Sequence, residues 1–270
     1  MNNLHRELAP ISDAAWAQIE EEITRTLKRY LAGRRVVDVP PAGGVAMPGI
    51  GTGRLKQISA PGEGIIARQR EVKPLVELRA PFELSREAID DVERGAEDSD
   101  WQPAKDAAKR LAFAEDRAIF NGYSEAQIQG VRQSTSNPIE ALPADVRDYP
   151  DAVARSLSRL RLVGVNGPYS ILLGASEYTA LAETRDQGHP VLEHIQQILD
   201  GSLIWAPAIE GAFVVTTRGG DFELSIGQDV SVGYLSHTDS AVQLYLQETF
   251  VFRVLTAEAA VTLSPSQKSA

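Results

Sequence analysis

Residues 40–64 hold seven glycines and four prolines (Gly43, Gly44, Gly49, Gly51, Gly53, Gly62, Gly64; Pro40, Pro41, Pro48, Pro61). That density suits neither a packed helix nor a central strand. A loop this long inside a compact domain asks for a reason, and an arm reaching onto a neighbouring subunit is one. Its apolar side chains, Val45, Ile50, Leu55, Ile58, Ile65 and Ile66, cannot bury one another within the arm. The stretch therefore predicts a chain that completes its structure by assembling.

Regular patterns flank the arm. Trp16, Ile19, Ile23, Leu27 and Leu31 recur at helical spacing, with Ser12 as an N-cap and Gly33 as a left-handed stop. Val36-Val37-Asp38-Val39 reads as a short strand. After the arm, residues 75–82 read as a strand and 85–94 as a capped helix stopped by Gly95. A longer helix over 103–120 follows, with inner face Ala104, Ala107, Ala108, Leu111, Ala112, Ala114 and Ile119. Asn137-Pro138 and Leu142-Pro143 mark a boundary. Beyond it, helices over 151–163, 176–183 and 191–200 alternate with strands over 169–173, 203–205 and 213–217, an α/β insert. Residues 241–255 alternate as one long strand with a single apolar face, and 264–270 read as a polar tail.

Composition narrows the function. The chain has 270 residues, 43% of them hydrophobic, so a substantial core is available. Its 27 Lys+Arg against 37 Asp+Glu give a formal charge of −10, a poor match for a phosphate backbone. Nucleic acid is not expected as a partner. Cysteine is absent, which excludes disulfides and thiolate metal sites. Met1 to Glu7 lack the apolar region of a secretory signal, and no apolar run reaches the ~18 residues of a membrane span. The expectation is a cytoplasmic protein with no membrane partner.

Sites of chemistry are sparse. His189 and His194 are five apart, a spacing that does not align them on a helix, so no metal site is expected. Gly49-Ile50-Gly51-Thr52-Gly53 lacks both the Lys-Ser/Thr ending and the following helix of a phosphate loop. Arg218-Gly219-Gly220-Asp221-Phe222 resembles a cyclic-dinucleotide synthase signature, but Phe222 stands where a second acid is needed. A hairpin turn is the simpler reading. The acids Asp90, Asp91, Glu93, Glu97, Asp98 and Asp100 lack EF-hand spacing and read as a solvated or subunit-facing surface. No Ser-His-Asp set stands at a recognisable spacing. A hydrolase or secreted bacteriocin has no constellation to support it, and no catalytic residue is expected.

Several segments together resemble one family. They are Leu8-Ala9-Pro10 before the Trp16 helix, Gly33-Arg34-Arg35-Val36-Val37-Asp38-Val39, and Leu84 through Asp90-Asp91-Val92-Glu93-Arg94-Gly95. Gly167-Pro168-Tyr169, Arg218-Gly219-Gly220-Asp221-Phe222 and Gln247-Glu248-Thr249-Phe250 complete the set. In this order they are similar to the encapsulins, especially the linocin-like shells of actinobacteria. The resemblance implies an α+β fold of the tailed-phage major-capsid (Hong Kong 97) type. It implies an N-terminal arm over 1–40, an extended loop over 41–75, and a peripheral domain from 76–136 and 225–263. An axial domain over 137–224 and a tail over 264–270 complete the expected division.

The same resemblance implies a non-enzymatic subunit of a closed icosahedral homo-oligomer of T=1 form with 60 copies. Such a shell encloses a dye-decolourising peroxidase or a ferritin-like protein, recruited by a C-terminal targeting peptide of the cargo. Haem or iron would then belong to the cargo. Some encapsulins associate with flavin through a Trp on the helix after the extended loop; Glu87 stands there, so no shell cofactor is carried over. The alternative is a phage or prophage capsid protein packaging DNA, which the acidic composition disfavours.

Two candidate sites follow. Ile23, Leu27, Leu31, Val37, Val39, Tyr234 and Leu235, with Arg34 and Asp38 as polar anchors, would line a groove for an extended cargo tail. The apolar members read equally well as core contacts between arm and body. Three buried aliphatic side chains give ~1.5–3 kcal/mol each, against ~2–5 kcal/mol for ordering a tail, so one tail binds weakly and oligomeric cargo loads by multivalency. Thr184, Arg185, Asp186, Gln187, Gly188 and His189 lie between the expected helices over 176–183 and 191–200, where Gly188 and Pro190 break helix. They would form an exposed loop around the five-fold pore, or an ordinary surface turn.

Overall fold

The computed structural model describes residues 3–186 and 188–265. Helix α1 (Asp13–Tyr30) begins where expected, with the Ser12 hydroxyl accepting the Ala15 N–H. Ala15, Trp16, Ile19, Ile23 and Leu27 form its buried stripe. It ends at Leu31 in an extended conformation, and the 3-10 turn Gly33–Arg35 follows. Gly33 is not a left-handed stop; a side chain there would meet Ile119 Cδ1 at 2.6 Å and Asp116 Oδ1 at 3.0 Å. Residues 36–39 are not a strand either. Only Asp38 bridges, in parallel, to Glu223.

The glycine-rich arm is a ribbon rather than an irregular loop. Strands β1 (Gly49–Ile58) and β2 (Ala67–Pro74) pair antiparallel, with an irregular register between Gly51 and Leu55. Its turn chemistry tolerates glycine because the ribbon has no packed face: Leu55, Ile58, Ile65, Ile66 and Val72 are all exposed. Ile50, at the base, is the exception and joins the core.

Strand β3 (Val76–Ser85) leads directly into α2 (Arg86–Glu93), capped by Ser85 and closed by Gly95 at positive φ. Helix α3 (Gln102–Asn121) has Pro103 in its first turn and Gly122 at its exit. On its inner face the expected Ala114 is exposed, and Glu115 and Asp116 are fully buried instead. The short α4 (Val131–Ser134) and β4 (Glu140–Ala141) lead to the insert.

The insert contains α5 (Tyr149–Leu162), β5 (Tyr169–Leu173) and α6 (Ala175–Glu183), then the miniature strands β6 (Arg185–Asp186) and β7 (His189–Pro190). Helix α7 (Val191–Ile198), β8 (Leu203–Trp205) and β9 (Ala212–Thr216) complete it. The remaining strands are β10 (Phe222–Ile226), β11 (Ser231–His237), β12 (Ala241–Val254) and β13 (Ala260–Ser264).

Strand β12 is the axis of the body. One edge pairs with β3 from Ala241 opposite Ser85 to Phe250 opposite Val76. The other edge pairs with β11 and then β10. It is not the one-faced strand the alternation suggests: Tyr245, Gln247 and Val251 are buried as well as Leu244, Leu246 and Phe250.

The second sheet runs β4-β13-β9-β5-β8. Gly219 and Gly220, both at positive φ, turn the chain between β9 and β10, yet those strands belong to different sheets, so the turn is not a hairpin. The sheets also cut the chain differently from the expected domain limits. Phe222–Ile226 joins the β12 sheet, and Ala260–Ser264 returns to the insert's sheet beside β4 and β9. Ser264 is thus a strand residue, and the expected tail beyond 265 lies outside the described residues.

Candidate functional site

The end of α1 is tied to the body by a knot of charge. The Asp116 carboxylate on α3 accepts the Ala32 N–H at 3.0 Å and the Gly33 N–H at 2.8 Å. This aims Arg34 inward. Its Nε donates to both Glu115 oxygens at 2.9 and 3.0 Å, and its Nη2 to Glu115 Oε2 at 2.5 Å and to Glu248 Oε2 on β12 at 3.2 Å. Nη1 donates to Asp229 Oδ1 at 2.8 Å. One guanidinium therefore joins the arm, α3, β12 and the β10–β11 link.

Four carboxylates surround that single cation, and the titration of the group reflects it. Burial pulls the Arg34 pKa down, but hydrogen bonds and charge from Glu115 and Asp229 outweigh it and hold the pKa above its usual value. Burial pushes Glu248 well up, reinforced by the neighbouring Glu115. Burial likewise raises Asp116 to about 7 against the opposing pull of the Gly33 and Ala32 N–H groups. Among the described residues Glu248 Oε1 has no hydrogen-bond partner.

Of the expected groove residues, Asp38 bridges to Glu223 on β10, and Tyr234 and Leu235 lie on β11. Asp38 bonds through its backbone to Phe222 and Leu224, and its carboxylate accepts the Gly220 N–H at 2.6 Å. Gly43 and Gly44 continue this cover by donating to Ile226 and Gly227, while the Tyr234 N–H donates to the Leu4 carbonyl. Two chain segments thus cap the sheet edge and leave it unavailable for open-ended pairing.

Along that edge Val39 and Leu235 are exposed, at 39% and 51%. Leu31, Val37 and Tyr234 are half-buried, and the Tyr234 hydroxyl lies 2.6 Å from His237 Nδ1. Ile23 and Leu27 are placed differently: both are buried in the core that α1 shares with α3, β3 and β12, so they are no open wall. Arg34 is committed to three carboxylates and is not a free anchor.

The expected pore loop is a two-stranded hairpin. Arg185 pairs with Pro190 and Asp186 with His189, and Gly188 turns at φ 91°. Thr184 is tied at its base by the Val191 N–H. Gln187 lies outside the described residues. His189 sits outside α7, which brings its ring within 6.5 Å of the His194 ring despite the five-residue spacing. Among the described residues no three His, Asp or Glu side chains gather into a group that could hold a metal, and no helix is long and apolar enough to cross a membrane.

Comparison with known proteins gives this architecture a class. The virus-like particle from Pyrococcus furiosus superposes with a TM-score of 0.66 at 16% identity, covering 92% of this chain and 99% of that one. The capsid of Myoviridae phage XM1 superposes at 0.52 with 12% identity, covering 87% and 92%. The fold is that of capsid-type shell subunits.

Sequence comparison is more particular. The family model described as "Encapsulating protein for peroxidase" matches residues 1–251. The type 1 encapsulin shell protein of Mycobacterium tuberculosis is 59% identical over 98% of this chain and all of that protein. The chain belongs to the encapsulin shell-protein family, and it is a structural subunit rather than an enzyme.

Proposed function

We propose that the chain closes into a T=1 shell of 60 copies that encloses a peroxidase or a ferritin-like enzyme in the cytoplasm, the cargo carrying any haem or iron. The family match over 1–251 carries this reading, and the exposed apolar ribbon supports it because those side chains call for cover from another copy. The M. tuberculosis relative bears on it further, since it is similar over its whole length and is named a shell protein. The phage-capsid alternative has fold similarity at 12–16% identity behind it.

The cargo's C-terminal peptide docks along the β10–β11 edge, on Leu31, Val37, Val39, Tyr234 and Leu235, with Asp38 as the polar neighbour. The 184–189 hairpin lines the five-fold opening. Electron microscopy of the purified protein should show closed particles, and a co-expressed peroxidase should co-purify only while its C-terminal peptide is intact. Equal loading of the truncated peroxidase would overturn the docking assignment. Replacing residues 184–188 with one glycine should change the entry rate of a small reporter; an unchanged rate in assembled shells would move the opening elsewhere.

A further inference from the structure

Two exposed stretches carry lopsided charge of opposite sign. The ribbon, residues 49–74, holds Arg54, Lys56, Arg68, Arg70 and Lys73 against Glu63 and Glu71. None of these five cations has a carboxylate within 4.0 Å among the described residues. Residues 83–100, from the end of β3 through α2 to the start of α3, hold eight carboxylates against Arg86 and Arg94. Of these, Asp91 alone has a cationic partner among the described residues, Arg94.

The two stretches are kept apart within one copy. Residues 75–82, most of β3, separate them, which at about 3.3 Å per residue is about 26 Å. That is about three times the ~8 Å screening length of physiological salt. The ribbon does not fold back along β3, since β2 pairs with β1 and β3 pairs with β12. The cations also share the ribbon with exposed Leu55, Ile66 and Val72, and a lone two-stranded ribbon is marginal in water. Complementary charge and uncovered apolar area point to the same partner.

We propose that the ribbon of one copy docks on the α2 segment of the next, its cations facing the 83–100 carboxylates across the subunit boundary. This rests on the shell reading above and names the neighbour's surface that receives the ribbon. A head-to-tail contact of this kind uses two different patches, so it propagates from copy to copy and closes when the rotation closes. Opposite charges also steer encounter, so assembly should slow as ionic strength rises.

Charge reversal and its rescue test the pairing. R54E/R68E/R70E should remain folded by circular dichroism and lose the particle peak in sedimentation velocity, and D90K/E93K/E97K should do the same. The six substitutions combined restore opposite signs and should bring the particle peak back. The neutral set R54Q/R68Q/R70Q should assemble slowly at low salt and lose its dependence on salt. Wild-type particle yield from either reversed variant would overturn the pairing. So would a folded six-fold variant that stays dissociated, or a neutral set with unchanged salt dependence. Wild-type protein that forms no particles would instead overturn the shell reading, and the pairing with it.

Discussion

The knot at Arg34 and the β1–β2 ribbon are both rich in charge, and they are finished in opposite ways. At the knot, carboxylates from three parts of the chain converge on one guanidinium, and Glu115 and Glu248 are shut from solvent. On the ribbon, four cations and a row of aliphatic side chains stand in the open, with Lys73 half-buried at the base. The first region is complete within one copy and fixes how the arm leaves α1. The second has no partner of its own and sets what the copy must meet.

The comparison breaks most completely if the limb is removed. Deleting residues 49–62 should abolish closed particles in electron micrographs while the body keeps its circular dichroism. Permanent interfaces bury roughly 2,000–5,000 Å², and the deletion removes the exposed Leu55 and Ile58 from what the copy can offer one. The next largest effect belongs to the knot. Arg34→Met leaves Glu115 and Glu248 buried without their cation and should cost about 3–5 kcal/mol, read as a fall in the urea midpoint. Gly33→Val forces a side chain against Ile119 and Asp116 and should cost about 1–3 kcal/mol by the same measurement.

A smaller effect is set by pH. Asp116 moves from an ordinary 3.8 to about 7 in the folded protein, so the folded state holds a proton that the unfolded chain has released. Where the folded state binds more protons, stability falls as pH rises. The Asp116 contribution is therefore full below about pH 4 and is lost as pH climbs towards 7. Glu115, Arg34 and the Ala32 and Gly33 N–H groups face this carboxyl and set the window. Asp116→Asn should flatten that part of the stability profile in urea titrations at successive pH values. Smallest for stability is Val39→Asp, an exposed position: particles should form at the wild-type melting temperature yet co-purify without cargo, and normal loading would remove Val39 from the docking edge.

Helices were legible where caps and periodicity agreed. Ser12 and Ser85 cap α1 and α2 as their spacing predicts, and Pro103 and Gly122 bracket α3. Strands β5 and β8 were legible from short apolar runs between turn residues. The ribbon was not, because its pairing is backbone to backbone and its side chains have no buried face to impose alternation. The knot was missed because a charge in a sequence suggests solvent, and the partners of Arg34 stand 81, 195 and 214 positions away. One signal was available. Glu115 and Asp116 fall on the stripe of Leu111, Ala112 and Ile119, where a helix turns its face to the core. Of the proposed docking edge, Val39 and Leu235 were named from the sequence, and both are exposed apolar residues. That Ile23 and Leu27 serve the core followed only from what α1 packs against.

Hydrogen exchange tests the contrast between the finished body and the unfinished limb most directly. Amides of residues 49–74 and of 104–120 should be followed by mass spectrometry in assembled particles and in subunits dissociated without unfolding. The ribbon amides should gain strong protection on assembly while those of α3 exchange alike in both states. Equal exchange of the ribbon in particles and free subunits would contradict that contrast.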